Sequence, residues 1–426
     1  RVHIFNMRTA SAGAHVPTID LAVRDKQTLK SKPGLSHFGR KGDTAGADES
    51  IQTLLKFANT LVPAARRSRT PCLLKATAGL RALPEQQSGA ILAQVRQTLE
   101  TSGYMFKDPW VDIIKGKEEA GLAWVAANYL LGTFDGSGDA PSVGIIEMGG
   151  GSTQVSFQVD ASARVAEIDS FVFRTSLGRR YHLYAHSYLG YGQDYAQAKL
   201  RDQLPRASPT DPCYPKGYTR QSGESATISG GGNASGCAAA IQAALFQAPA
   251  DAPGRYAGEQ PLTGKFLATQ NFFFGRRDLG LPMFSGARDM EEASQTACAK
   301  KVELPSKDPG QPNTCFGLSY QLIFLRSLGL ASRPPGVSVE IANAVKGGDV
   351  DWALGAALVH ILEAKEEGQA GGASGPSWIG LVVAFAAAPL LFVLARAVWP
   401  RVQGRSLKRH QSPGATTVGK AGMPAE

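Results

Sequence analysis

The stretch IIEMGGGSTQVSF, residues 145 to 157, carries the reading from which the fold follows. Residues 142 to 148 form an apolar run of strand length, and VSFQV continues after GGGSTQ as a second run, so the segment predicts two strands joined by a glycine turn. Glu147 interrupts the first run beside the glycines, where a carboxylate is costly unless paired or bound to a metal. Gly149, Gly150 and Gly151 let backbone N–H groups converge on an anion, and Ser152, Thr153 and Gln154 add side-chain donors. The loop lacks the GKS or GKT of a Walker A motif and is not a GxGxxG turn into a helix. A plain glycine hairpin is the alternative reading.

Working outward, Ile51, Leu54, Leu55, Ala58, Leu61 and Val62 repeat at helical spacing, and Pro63 ends the run. TPCLLKAT, residues 70 to 77, predicts a strand running into Ala78-Gly79-Leu80-Arg81, where Arg81 could neutralise phosphate. Ile91, Val95 and Leu99 mark another helix, residues 111 to 114 a short strand, and residues 118 to 131 a second strong helix opened by Glu118 and Glu119. Residues 314 to 330 and 349 to 364 also read as helical, whereas 204 to 236 and 247 to 264 read as Gly- and Pro-rich surface loops. RVHIFNM, residues 1 to 7, reads as one strand of a hairpin and is weakly echoed by QVSF at 154 to 157. Strands alternating with helices make this an α/β protein.

At 426 residues, with 43% apolar and 19% charged residues, the chain is long enough for two globular units plus appendages. Its formal charge of +9 does not indicate a nucleic-acid partner, because six basic residues after position 395 face Glu426 alone, a local net of +5. The tail, 399 to 426, which carries five of these six, follows the apolar run WIGLVVAFAAAPLLFVLA between Trp378 and Ala395, so 377 to 398 is expected to span a membrane. The positive residues place the tail in the cytosol, with 365 to 376 a flexible linker and the preceding body lumenal or extracellular. In such an oxidising compartment the short separations favour disulfides Cys213 to Cys237 and Cys298 to Cys315, leaving Cys72 as a buried thiol. Asn233-Ala234-Ser235 is a glycosylation sequon consistent with that compartment.

The segments ATAGLR (76 to 81), KGKEEAGLAWVAANYLLG (115 to 132), IIEMGGGSTQVSF and YAHSYLGYG (184 to 192) resemble, in order, conserved regions of the apyrase, or nucleoside triphosphate diphosphohydrolase, family. CFGLSYQLIFL (315 to 325) and VDWALGAAL (350 to 358) resemble its C-terminal region more weakly, so the likeness covers residues 1 to about 362. The resemblance implies two ribonuclease-H-like domains of the actin and hexokinase type with nucleotide in the cleft between them. Here they would be 1 to 140 with 349 to 364, and 141 to 348. It implies Glu119 as general base, five residues before Trp124, with Ser152 and Gln154 orienting the attacking water. Glu147, standing where the family has Asp, would hold Ca2+ or Mg2+ through water. Gly149 to Gly151 and Thr153 would cradle phosphate, and Thr77, Ala78 and Arg81 match the phosphate-contacting region. Phe273 and Tyr320 are loose candidates for stacking a base.

What the resemblance implies is hydrolysis of nucleoside tri- and diphosphates, with a polyphosphate or other phosphoanhydride hydrolase, or a silent nucleotide-binding membrane protein, as alternatives. The family's first phosphate loop, Asp-Ala-Gly-Ser-Ser-Gly-Thr, would immediately precede Arg1-Val2-His3, so the chain beginning at Arg1 is expected to be inactive by itself. Base preference and oligomeric state are left open by the residues.

Overall fold

The computed structural model describes residues 1–370 apart from 9–13, 21–26, 136–140, 204–208, 223–225, 248–261, 279, 281–286, 302–312 and 331–335. The expected membrane segment 377 to 398 and the tail lie outside the described residues. Among the described residues no helix is long and apolar enough to cross a membrane.

Helix α1, Thr44–Leu61, starts where the Asp43 side chain accepts from the Gly46 amide and buries Ile51, Leu54, Leu55 and Ala58. Strand β1, Leu74–Ala76, is followed by α2, Glu85–Glu100, which packs Ile91, Val95 and Leu99 inward, and by β2, Val111–Ile113, parallel to β1. These elements share a core with Val2 and Ile4. The opening stretch is divided into Val2–His3 and Met7–Arg8, which pair antiparallel with Thr28–Leu29 and Thr18–Ile19.

Helix α3, Gly116–Leu131, is buried along nearly its whole length and ends at Gly132, whose φ of 83° suits a residue without Cβ. Then come β3, Gly144–Met148; β4, Ser152–Gln158; β5, Ser170–Arg174; and β6, Arg180–Leu189. Helix α4, Gln193–Gln203, precedes β7, Gly264–Gln270; α5, Thr314–Ser327, precedes β8, Val337–Ile341; and α6 is Trp352–Ala370.

The hairpin read from residues 145 to 157 lies at the middle of a six-stranded mixed sheet ordered β8-β7-β3-β4-β6-β5. Strands β3, β7 and β8 are parallel, whereas β4, β6 and β5 are successively antiparallel. Strand alternation sorts the residues by face. Ile146, Met148, Val155 and Phe157 pack with α5 in one core, while Ile145 joins α3 and α6 around Trp124, Phe134 and Tyr181 on the other. Glu147, one step of two from Ile145, therefore faces α3.

Two readings need correction. Residues 204 to 236 are more than surface loop: Thr210–Asp211, Thr219–Ser222 and Ala226–Gly230 make a three-stranded sheet, and a helix runs Ala234–Ile241. The Cys213 to Cys237 disulfide joins these pieces, which gives so Gly-rich a stretch a fixed path. In addition, α6 continues to Ala370, into the stretch read as linker, because Lys365, Glu366 and Glu367 favour helix propagation from a buried stem. The second expected disulfide, Cys298 to Cys315, is present, and Cys72 is free and buried. Burial alone pushes the Cys72 thiol well up, as suits an inert group.

Candidate active site

Four residues stand side by side across the sheet: Thr269 on β7 opposite Glu147 on β3, Glu147 opposite Gln154 on β4, and Gln154 opposite Ser187 on β6. Directly paired residues share a face, so this polar row points toward α3, which carries Glu119. The two glutamates at the start of α3 have separate duties. Glu118 Oε2 accepts from the Lys115 amide at 2.7 Å and closes the helix end. Glu119 is turned inward, 7% exposed, and Arg81 Nη2 donates to its Oε2 at 2.7 Å.

Arg81 ends the short helix Ala78–Arg81 that follows β1. Its Nη1 donates to the Ile114 carbonyl at 3.0 Å, and its Nη2 also reaches Ser152 Oγ at 3.4 Å. Gln154 Nε2 donates to Ser152 Oγ at 2.6 Å and to Ser187 Oγ at 2.9 Å. A continuous network thus joins the expected base, Glu119, to both residues expected to hold water. Burial raises the Glu119 carboxyl above its ordinary range, Arg81 opposes this, and Asp351 adds to it. Glu147 is raised well above the ordinary range, first by burial and then by Glu119 and Asp351.

The glycine loop is oriented by its carbonyls. Gly149 O accepts from the Gln193 amide at 2.9 Å and from Asn271 Nδ2 at 3.0 Å, and Gly150 O accepts from the amides of Asp194 and Tyr195 at the start of α4. In a trans peptide the next N–H points opposite to the C=O, so the amides of Gly150 and Gly151 face away from α4. They donate to no acceptor among the described residues. This is the arrangement of an anion cradle. A side chain at Gly151 would press on Ala78, whose Cβ would be 3.0 Å from the added carbon, so the loop and the start of the Arg81 helix approach closely. The Thr77 hydroxyl, at that helix start, makes no hydrogen bond among the described residues.

Two expected assignments do not fit. Thr153 falls on the opposite face of β4 and donates its hydroxyl to the Tyr191 carbonyl at 2.7 Å, so it offers no side-chain donor to phosphate. Tyr320 is fully buried, stacked on Phe316, with its hydroxyl on the same Tyr191 carbonyl, so it cannot stack a base. Phe273 is half-buried with Arg277 over its ring.

The residues also allow a divalent cation. Glu147 Oε2 and Thr269 Oγ1, neighbours in the polar row, are buried without a hydrogen-bond partner. Among the described residues no group of three His, Cys, Asp or Glu could hold a metal, and these two oxygens are hard donors of the kind a divalent cation takes. The reading of the residues missed Thr269, Ser187 and Asp351. Asp351 immediately precedes α6, accepts from the Ala353 amide at 2.9 Å and pairs with Arg1 at 3.2 Å. For Thr269 and Ser187 the signal is register, which sets them beside Glu147, 122 positions away, and Gln154, 33 positions away.

Comparisons with known proteins give the family and the fold. The profile of the GDA1/CD39 (nucleoside phosphatase) family matches residues 1–370. The chain is 32% identical over 402 residues to "Probable apyrase 4" of Arabidopsis thaliana, covering 85% of this chain and 77% of that one. It is 29% identical over 381 residues to "Ectonucleoside triphosphate diphosphohydrolase 5" of Mus musculus, covering 85% of each. Among solved structures, that of nucleoside triphosphate hydrolases from Neospora caninum superposes with a TM-score of 0.61 at 16% identity, covering 76% of this chain and 79% of that chain, a likeness of fold. From its motifs, its polar row and this match, the chain belongs to the GDA1/CD39 (nucleoside phosphatase) family.

Proposed function

We propose that the protein hydrolyses nucleoside tri- and diphosphates to monophosphates and phosphate by in-line attack of water activated by Glu119. The observation that carries this reading is the buried Glu119 joined through Arg81 and Ser152 to Gln154, beside a glycine loop with outward amides. Without substrate, Arg81 pairs with Glu119 and opposes the rise that burial imposes on its carboxyl. A terminal phosphate competes for the guanidinium, and Glu119 is then free to accept a water proton. Ser152 and Gln154 hold that water in line, so their contribution is orientation. The Gly150 and Gly151 amides and Arg81 stabilise the charge on the transferring phosphoryl group. Ca2+ or Mg2+, held by Glu147 through water, would neutralise phosphate charge.

We read 1 to 140 with 349 to 364, and 141 to 348, as two ribonuclease-H-like domains. The order of the six-stranded sheet, in which two parallel strands extend an antiparallel meander, supports this reading of the second. Both disulfides and the exposed Asn233 suit a secreted or lumenal body. The apolar stretch within 377 to 398 supports a single-pass membrane protein with a cytosolic tail. Removing residues 371 to 426 is expected to release the protein from membranes without detergent; continued membrane retention would contradict the anchor.

The activity is tested by phosphate release from ATP, ADP and polyphosphate. From the full-length protein, release from the nucleotides, abolished by EDTA and restored by Ca2+ or Mg2+, is expected. Turnover of polyphosphate alone, or nucleotide binding without phosphate release, would overturn the reading.

A further inference from the structure

Gln154 donates from one nitrogen to two hydroxyls, Ser152 Oγ at 2.6 Å and Ser187 Oγ at 2.9 Å. A primary amide has two N–H bonds, so both are engaged and Oε1 remains as an acceptor. Ser152 Oγ in turn accepts from Gln154 and from Arg81, which leaves its own O–H to donate. A water about to lose a proton to Glu119 needs a second acceptor for its other hydrogen, so that a lone pair can face phosphorus. Gln154 Oε1 is that acceptor only while the amide plane is fixed.

Ser152 alone leaves the amide free to pivot about one hydrogen bond. Ser187 supplies the second. It lies directly opposite Gln154 across the β4 and β6 pair, and the backbone of Gly116, at the start of α3, packs against its side chain. Any Cβ at position 116 would collide with Ser187. Glu119 follows three residues later on the same helix. One small residue thus touches both the first turn of the helix carrying the base and the amide expected to hold the water.

We propose that Ser187 is a positioning residue for the hydrolytic reaction: it fixes the amide plane of Gln154 relative to Glu119 and touches no substrate itself. The inference rests on the proposed role of Gln154 as a holder of the attacking water. Ser187→Ala keeps the Cβ against Gly116 and removes only the hydroxyl, so the fold should be retained, as checked by an unchanged Tm. Expected are a kcat about tenfold lower with KM within about twofold. A double-mutant cycle separates orientation from general loosening. Gln154→Ala should lower kcat by about 10²-fold, and adding Ser187→Ala should change it by less than about twofold.

Full kcat in Ser187→Ala, or an undiminished tenfold loss on the Gln154→Ala background, would overturn the role of Ser187 and leave that of Gln154 standing. Full kcat in Gln154→Ala would overturn both. A second variant approaches from the other side: Gly116→Ala removes no polar atom but displaces Ser187, so kcat should fall while KM holds. An unaffected kcat there would also contradict the proposal.

Discussion

Glu118 and Glu119 are adjacent in the chain, yet one accepts from the Lys115 amide and the other pairs with Arg81 inside the site. Glu118→Ala is expected to cost about 1 kcal/mol in stability through the lost helix cap, measured by denaturant unfolding, with kcat unchanged. Glu119 also sets a pH dependence. Its carboxyl is raised by burial, so activity is present above its pKa and lost as pH falls through it. Because Arg81 opposes that rise, drawing Arg81 onto phosphate should raise it further. The acid limb of the kcat profile is therefore expected at higher pH than that of kcat/KM, and the reverse order would contradict the exchange of partners. At this scale the residues revealed candidates and the resemblance assigned Glu119 its role. Neither showed which side chains were already engaged: Thr153 and Tyr320 look available in sequence, but both hydroxyls bond the Tyr191 carbonyl.

Helices α1, α2 and α3 were legible as elements because their apolar spacing is strong, and so was the β3 and β4 hairpin, whose strands are joined by a glycine turn. The polar row was only half legible. Pairing Glu147 with Gln154 follows from the hairpin, but placing Thr269 and Ser187 beside them depends on registers set by tertiary packing. Along α6, His360 packs edge-on against Trp110 at 4.8 Å, and burial, aided by Lys75 and Lys107, lowers its pKa to about 4. A histidine kept neutral by folding contributes stability that is complete above its unfolded pKa of about 6.5 and is lost as pH falls toward the folded value. Thermal unfolding between pH 7 and 4.5 should therefore show a smaller acid loss in His360→Leu than in the parent. An equal loss in both would remove His360 as a contributor.

Across the whole molecule, composition and alternation indicated an α/β protein, whereas the small sheet and helix within 210 to 241 escaped notice because Gly-rich sequence held by a disulfide carries little periodic signal. Both disulfides lie on the side of the six-stranded sheet that packs with α5, and none touches the core of α1 and α2. Reduction should lower the stability of that region by about 3 kcal/mol per bridge. Hydrogen exchange is expected to quicken in α5 and the helix Ala234–Ile241 before α1 and α2, and uniform loss of protection would contradict this. The central claim, that a buried carboxylate on α3 activates water against a terminal phosphate, is tested most directly by steady-state phosphate release from ADP and ATP with metal present, comparing the parent enzyme with Glu119→Gln. The account predicts a kcat lower by about 10²-fold or more with KM nearly unchanged; undiminished turnover by Glu119→Gln would contradict it.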